Sequence, residues 1–339
     1  MCAAGDLCLA MLRLATRRSQ LAAAASLSSA CASKKGVPFL AMASTTTDSA
    51  ATPAAASEGG ILRLAAFAID STAGGNPAGV LIADSMPEVS TMQATAAAVG
   101  YSETVFSAPE GPAAWRVRYF ALDGGEVSFC GHATIALGAA LAQKKGDGVF
   151  DLRLNDGVEI TVEGRREGDQ VAAALQSPPT TSVAASAGLI SDVLDLFGLS
   201  SAQLDPRIPV SIASAGSTHL VVALKERATL ASMAYDLEAG RQLMTSHGLL
   251  TIQLLHAESD TRLCARCAFA SGGVYEDAAT GSAAASLGGL LRDIKWPHHG
   301  RVEVVQGVEM GMPSRLVVEI TDGIGESIKV SGIARAISA

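Results

Sequence analysis

The chain lacks the marks of several functional classes. Its 339 residues contain no uninterrupted apolar run of the roughly 18 residues that a spanning helix needs, so no membrane partner is expected. No cluster of Lys and Arg interrupts an acidic chain of net charge -8. Phosphate binding needs a basic face, which removes nucleic acid from the expected partners. No GxGxxG follows a strand-like run and no GxxxxGK[ST] occurs, leaving nucleotide cofactors without support. Cysteine is scarce. Cys2, Cys8 and Cys31 lie near the N-terminus, and Cys130, Cys264 and Cys267 are odd in number in a chain without a secretory signal, which is no disulfide framework. Cys264-Ala-Arg-Cys267 has CxxC spacing but no second pair to complete a zinc site, and strand geometry puts its thiols on opposite faces. Both read as structural. His298-His299 lacks a third ligand and reads as a surface turn, so no metal is expected.

Residues 1–57 differ in composition from the rest. They are rich in Ala, Ser and Thr, with Arg13, Arg17, Arg18, Lys34 and Lys35 against only Asp6 and Asp48. An Arg- and Ser-rich, acid-poor stretch is expected to be a mitochondrial or plastid transit peptide; the alternative is a disordered extension on a cytoplasmic protein.

What the chain does have is a repeat. Cys130-Gly-His-Ala-Thr-Ile-Ala-Leu-Gly-Ala-Ala-Leu141 returns as Thr280-Gly-Ser-Ala-Ala-Ala-Ser-Leu-Gly-Gly-Leu-Leu291, sharing Gly131/Gly281, Ala133/Ala283, Leu137/Leu287, Gly138/Gly288 and Leu141/Leu291. Each copy reads as a polar turn feeding a buried helix. Two facing helix starts would form an anion cradle of free N–H groups; equally, Gly and Ala permit two core helices to pack closely.

Around the repeat the pattern is mostly strands: 61–67 and 79–82 about a turn at 74–78, then 101–106, 115–120, 148–154 and 158–162. A helix is expected over 86–99, with Pro87 at its start and Gly100 at its end. Gln176-Ser-Pro-Pro-Thr180 is the expected crossing between halves. Beyond it, helices are expected at 190–197 and 236–247, and strands at 207–212, 220–224, 249–256, 262–270, 302–306, 314–320 and 327–331. One long helix per half amid many strands is an α+β pattern.

Gly75-Asn-Pro-Ala78, Ser102-Glu-Thr104, Cys130-Gly-His-Ala-Thr134 and Glu276-Asp-Ala-Ala-Thr-Gly-Ser282 together resemble the PhzF-like phenazine-biosynthesis isomerase family. The resemblance covers residues 61–337, including Gly307-Val-Glu-Met-Gly-Met-Pro-Ser-Arg315. It implies a diaminopimelate epimerase-like fold: two similar halves, each a curled, mostly antiparallel sheet around a central helix, with the active site in the cleft between them. The halves implied are 58–176 plus 328–339, and 177–327. A homodimer acting on a small carboxylate, with no cofactor, is also implied. Ala278 stands where the family has Pro, which is expected to loosen the turn holding Asp277. Ala121-Leu122 and Gly74 are further departures, and none removes a catalytic side chain.

Relatives on this fold that racemise amino acids use two thiols. Here Cys130 is matched by Thr280, an alkyl hydroxyl and a poor base near neutral pH, so two-base racemisation is not expected. The resemblance assigns the acid/base role to Glu103, which would lift a proton from one carbon and return it at another; partial burial would bring its pKa toward neutrality. It assigns His132 and Asp277 to proton handling and substrate orientation. Ser282 with the N–H groups of Gly131 and Gly281 would hold the carboxylate, beside Asn76, Thr280 and a pocket-lining Cys130. His219 is a further candidate, in a turn near the site. A one-thiol epimerase or dehydratase of hydroxy-amino acids and a non-catalytic metabolite-binding protein are the alternatives.

Overall fold

The computed structural model describes residues 60–111 and 114–338. The expected presequence lies outside them. Among the described residues no helix is long and apolar enough to cross a membrane.

The first half contains β1 (Leu62–Ala68), β2 (Asn76–Ile82), α1 (Val89–Val99), β3 (Glu103–Glu110), β4 (Ala114–Ala121) and β5 (Glu126–Val127). It continues with α2 (Gly131–Lys145), β6 (Gly148–Arg153), β7 (Glu159–Glu167) and β8 (Gln170–Pro179). The second half runs β9 (Thr181–Ala184), α3 (Ala187–Phe197), β10 (Ser211–Ala215), β11 (Ser217–Ala223), α4 (Arg227–Ala231) and α5 (Leu237–Ser246). Then come β12 (Thr251–Ala257), β13 (Arg262–Ala268), β14 (Glu276–Asp277), α6 (Gly281–Asp293), β15 (Arg301–Gln306), β16 (Ser314–Glu319) and β17 (Ser327–Ala336).

Strand pairing closes a ring around α2 in the order β1, β2, β3, β4, β6, β7, β8, β17 and back to β1. Only β2/β3 and β4/β6 are parallel. The second half repeats the pattern: β10 to β11 antiparallel, β11 to β12 parallel, β12 to β13 antiparallel, β13 to β15 parallel, then β16 and β17 antiparallel. The two rings share strands. β17 pairs with β16 near its start and with β1 near its end, while β8 runs along β17 and continues into β9, which pairs with β10. This is the α+β, two-helix architecture that the repeat implies.

Both central helices are apolar nearly all round, and a helix of that kind is stable only when enclosed. Residues 132–142 of α2 and 283–292 of α6 are buried. The mid-helix glycines explain the closeness of the wrap. A Cβ at Gly138 would lie 2.5 Å from Val162 Cγ2, and one at Gly288 would lie 2.8 Å from Val318 Cγ1. Gly138 and Gly288 therefore serve packing against the strands, whereas a Cβ on Gly131 would have Gly281 Cα as its nearest neighbour, at 3.8 Å, and one on Gly281 would meet only the Phe67 ring, at 3.5 Å, before Gly131 Cα at 4.0 Å. The two helices meet start to start.

Local expectations fail where a side chain redirects the backbone. The first helix begins at Val89, not Met86, because Glu88 is extended at the N-cap and Pro87 falls before it. Gly100 ends it in the left-handed conformation, φ 78°, as expected. Asn76 to Ala78 belong to β2 instead of a turn. The strand expected from Arg207 starts only at Ser211, since Asp205 accepts the Arg207 N–H at 3.0 Å and its guanidinium at 2.6 Å, holding a turn. Pro178 and Pro179 end β8 instead of breaking it, and Thr180 N–H then donates to Gly325 O at 3.1 Å where the strand passes into β9.

Candidate active site

A cleft of about 620 Å³ lies at the abutting helix starts. It is lined by Asn76, Glu103, Cys130, Gly131, His132, Asp277, Thr280, Gly281 and Ser282, so the structure gathers the predicted site residues with the exception of His219. The strand ends do the placing. Asn76 opens β2, Glu103 opens the parallel β3, Asp277 ends the short β14, and Cys130 and Thr280 are the N-cap positions of α2 and α6. Neither side chain makes an N-cap hydrogen bond to the backbone of its own helix.

On the α2 side three groups form a cluster. His132 is buried, its Nδ1 lies 3.3 Å from Cys130 Sγ, and its Nε2 lies 3.5 Å from a Glu103 carboxylate oxygen. At that separation Nε2 is left without a hydrogen-bond partner among the described residues. The Glu103 carboxyl is 16% exposed, open to the cleft and to little else. Burial, then the neighbouring negative charge of Glu103, pushes the Cys130 thiol well above its ordinary pKa, so the thiol form persists. These three groups put a carboxylate oxygen, a sulfur and an imidazole nitrogen within 4.8 Å of one another, a donor set of the kind that suits Zn²⁺. His132 turns a different nitrogen to each neighbour, however, which suits a proton relay better than a shared ion.

On the α6 side Asp277 is clamped. Asn76 Nδ2 donates to Asp277 Oδ1 at 2.8 Å, reaching across the two halves, and the Thr280 hydroxyl donates to Oδ2 at 2.7 Å. Gln306, fully buried, donates from Nε2 to the Asp277 carbonyl at 2.8 Å and to Thr280 Oγ1 at 3.0 Å. The Thr280 hydroxyl thus has its proton committed to a carboxylate and a lone pair to an amide. Burial raises the Asp277 pKa, against the opposing pull of His132 and the Thr280 hydroxyl. Contacts around Ala278 brace the turn that holds Asp277. Ala278 is buried, Gln306 braces the carbonyl before it, and Gly307 packs so closely that a Cβ there would lie 2.7 Å from Ala278 O.

His219 does not line the cleft. It lies within β11, fully buried, with Nδ1 2.8 Å from Thr251 Oγ1, and burial drops its pKa to about 3. It supports Thr251, which does line the cleft. His298 and His299 form a turn, where His298 Nδ1 accepts the Gly300 N–H at 3.0 Å. Cys264 and Cys267 are free and buried on β13.

Sequence reasoning missed Gln306, Thr251 and Ser217. Strand registers in the structure, not the sequence repeat, reveal counterparts for two of them. In β2/β3 Ala78 pairs with Glu103, and in β11/β12 His219 pairs with Thr251, so Thr251 is the counterpart of Glu103 and Ser217 that of Asn76. Gln306 has no polar counterpart, since its first-half match by the β4/β6 and β13/β15 registers is Leu154.

Comparison with known proteins adds an independent line. Residues 64–339 match the family model described as phenazine biosynthesis-like protein, PhzC-PhzF. An uncharacterized isomerase, YddE, of Escherichia coli O157:H7 is 28% identical over 273 residues, covering 77% of this chain and 90% of that protein. The trans-2,3-dihydro-3-hydroxyanthranilate isomerase of Pseudomonas aeruginosa is 29% identical over 269 residues, covering 78% and 92%. Among solved structures, a PhzF-family phenazine biosynthesis protein of Bacillus anthracis superposes with TM-score 0.71 at 22% identity, covering 82% and 96%, a likeness of fold.

Proposed function

The chain belongs to the phenazine biosynthesis-like family of isomerases, and on that premise we propose that it isomerises a small carboxylate by moving a proton between two carbons, with Glu103 as the acid/base. The ionised Glu103 removes a proton from a carbon acidified by its neighbours, the electron pair moves along the conjugated system, and the protonated Glu103, open to exchange with solvent in the cleft, returns a proton at the second carbon. Atoms and charge balance with no redox partner and no cofactor. His132 Nε2, unpaired and 3.5 Å from Glu103, steadies the proton in transit. Asp277, held by Asn76 and Thr280, orients an amine or hydroxyl of the substrate. The N–H groups of Gly131 and Gly281, with Ser282, take the carboxylate. Both helix starts belong to one chain, so the homodimer expected from the family is not required to complete the cleft.

The single observation that carries this reading is the one-sidedness of the cleft: a carboxylate, an imidazole and an un-ionised thiol face a hydroxyl whose proton is already committed. The same observation weighs against a one-thiol epimerase or dehydratase, which needs a thiolate. Given the named substrate of the Pseudomonas relative, trans-2,3-dihydro-3-hydroxyanthranilate is the first compound to test. Glu103→Gln is expected to abolish solvent-deuterium incorporation during turnover while ligand binding persists. Undiminished incorporation in that variant would reject Glu103 as the base. Tight binding with no exchange by the wild-type protein toward any bound carboxylate would favour a non-catalytic binding protein.

A further inference from the structure

The cleft does not end at the two helix starts. A second cavity of about 220 Å³ shares Phe129, Gly131, Gly281 and Ser282 with the first. Its walls are mainly carbon, from Phe67, Ile135, Ile160, Leu175 and Val330. Its acidic lining residue, Asp156, is exposed on the β6–β7 hairpin and already accepts the Val158 N–H at 3.0 Å.

Resting on the carboxylate reading above, we propose that this annexe receives an apolar arm of the substrate, whose carboxylate sits on the helix starts. The substrate is then an amphiphilic carboxylate with an aliphatic or aryl extension. Gly131, Gly281 and Ser282, the groups that would bind the anion, are among the residues common to both cavities, so a ligand held there reaches both compartments at once.

The pseudo-symmetry of the fold shows that the annexe is not a by-product of pairing two rings. On the opposite side, the β1–β2 turn is sealed against the β15–β16 hairpin. Gly75 N–H donates to Pro313 O at 3.0 Å, and a Cβ at Gly74 would lie 1.8 Å from that oxygen. On the annexe side the matching β10–β11 turn meets Pro178 instead, 3.0 Å from a Cβ at Gly216, and space remains beneath the β6–β7 hairpin.

Phe67 supplies a second observation. It has φ 60°, a conformation rare for a residue with a side chain, at the point where the β1/β17 register shifts. This twist sets its buried ring against Gly332 and beneath Gly281, where it forms part of the annexe wall. Strained residues of this kind cluster at ligand sites.

The test is a titration of the full chain with straight-chain carboxylates from acetate to octanoate, read by ligand-observed NMR. Affinity is expected to rise about fourfold per methylene until the annexe is full. Val158→Trp, at the half-exposed rim, and Ile160→Trp, within the wall, should flatten the series while leaving acetate binding unchanged; thermal melting checks that each variant folds. A flat series with acetate still bound overturns the annexe and leaves the isomerase reading standing, since Glu103→Gln tests that separately. A series that climbs equally in a folded Trp variant puts the arm elsewhere and also overturns the proposal. Failure of every carboxylate to bind overturns both.

Discussion

Replacing Thr280 by Val removes one oxygen and keeps the shape, which isolates what the locked hydroxyl contributes. That hydroxyl donates to the Asp277 carboxylate at 2.7 Å and accepts from Gln306 at 3.0 Å. A hydrogen bond to a charged group is worth roughly 1.5–3 kcal/mol, and the Gln306 N–H left unpaired costs about 1 kcal/mol more. The sum, about 2.5–4 kcal/mol, should lower Tm by roughly 4–7 °C in a folded part of this size, at about 1.7 °C per kcal/mol. The pH dependence has a definite sign. Burial already holds the Asp277 pKa above its ordinary value, and loss of a donor to the ionised form raises it further. The penalty of Thr280→Val is therefore full above the folded pKa of Asp277 and shrinks as pH falls through it, because a neutral carboxyl loses a weaker bond. Any activity limb that needs ionised Asp277 should move to higher pH. Calorimetry across pH, paired with pH–rate profiles, reads both effects, and Thr280→Ser should restore both. A valine variant with unchanged Tm but no turnover at any pH would mean that Thr280 is itself an acid/base and that the positioning argument is wrong.

Two further outcomes follow from the geometry. His219, buried and neutral with a pKa of about 3, stabilises the fold fully above the unfolded value near 6.5 and loses that contribution as pH falls toward 3; His219→Phe should flatten this acid limb of urea-unfolding stability by several kcal/mol. Gly131→Ala puts its Cβ at 3.8 Å from Gly281 Cα, an ordinary contact, so Tm should hold within a degree or two while the methyl between the helix starts raises KM for a carboxylate substrate at least tenfold; an unchanged KM would remove the anion from that position.

Much of this site was legible because its residues sit at strand ends and helix caps, where a few residue types mark the position. Gly100 stops a helix by its left-handed backbone, and the doubled Gly-turn-helix announces two enclosed helices. Asn76, Glu103, Asp277 and the two caps all lie in short motifs of that kind. What was illegible depends on partners distant in sequence. Gln306 reads as the polar end of an ordinary strand, and only the packing of β15 beside β13 brings it under Asp277. Phe67 looks like any apolar strand residue, yet the β17 strand that returns from the C-terminus forces a bulge there. His219 was misplaced because a Gly-Ser-Thr-His run resembles a turn, whereas β11 begins already at Ser217 and carries His219 into the core.

The repeat also explains why the chemistry is one-sided. Pairing registers set Glu103 against Thr251, Asn76 against Ser217 and Asp277 against Val127, and the helix starts set Cys130 against Thr280 and His132 against Ser282. All ten line one cleft. In each pair at most one member is an ionisable group; the other is a hydroxyl or an alkyl group. A symmetric cleft with titratable groups at both stations would bring two carboxylates and two imidazoles together, and like charges so placed oppose one another's ionisation. Keeping one titratable member per pair avoids that conflict, and the remaining hydroxyls hold the working groups still. Thr280 fixes Asp277 and Thr251 meets His219 behind the cleft. On the proposed reading the duplicated cradle supplies two equivalent helix starts for the anion, while divergence between the copies leaves Glu103 on one face only. That is what a shift of one proton along a single face of a bound carboxylate requires, and what a two-base inversion forbids.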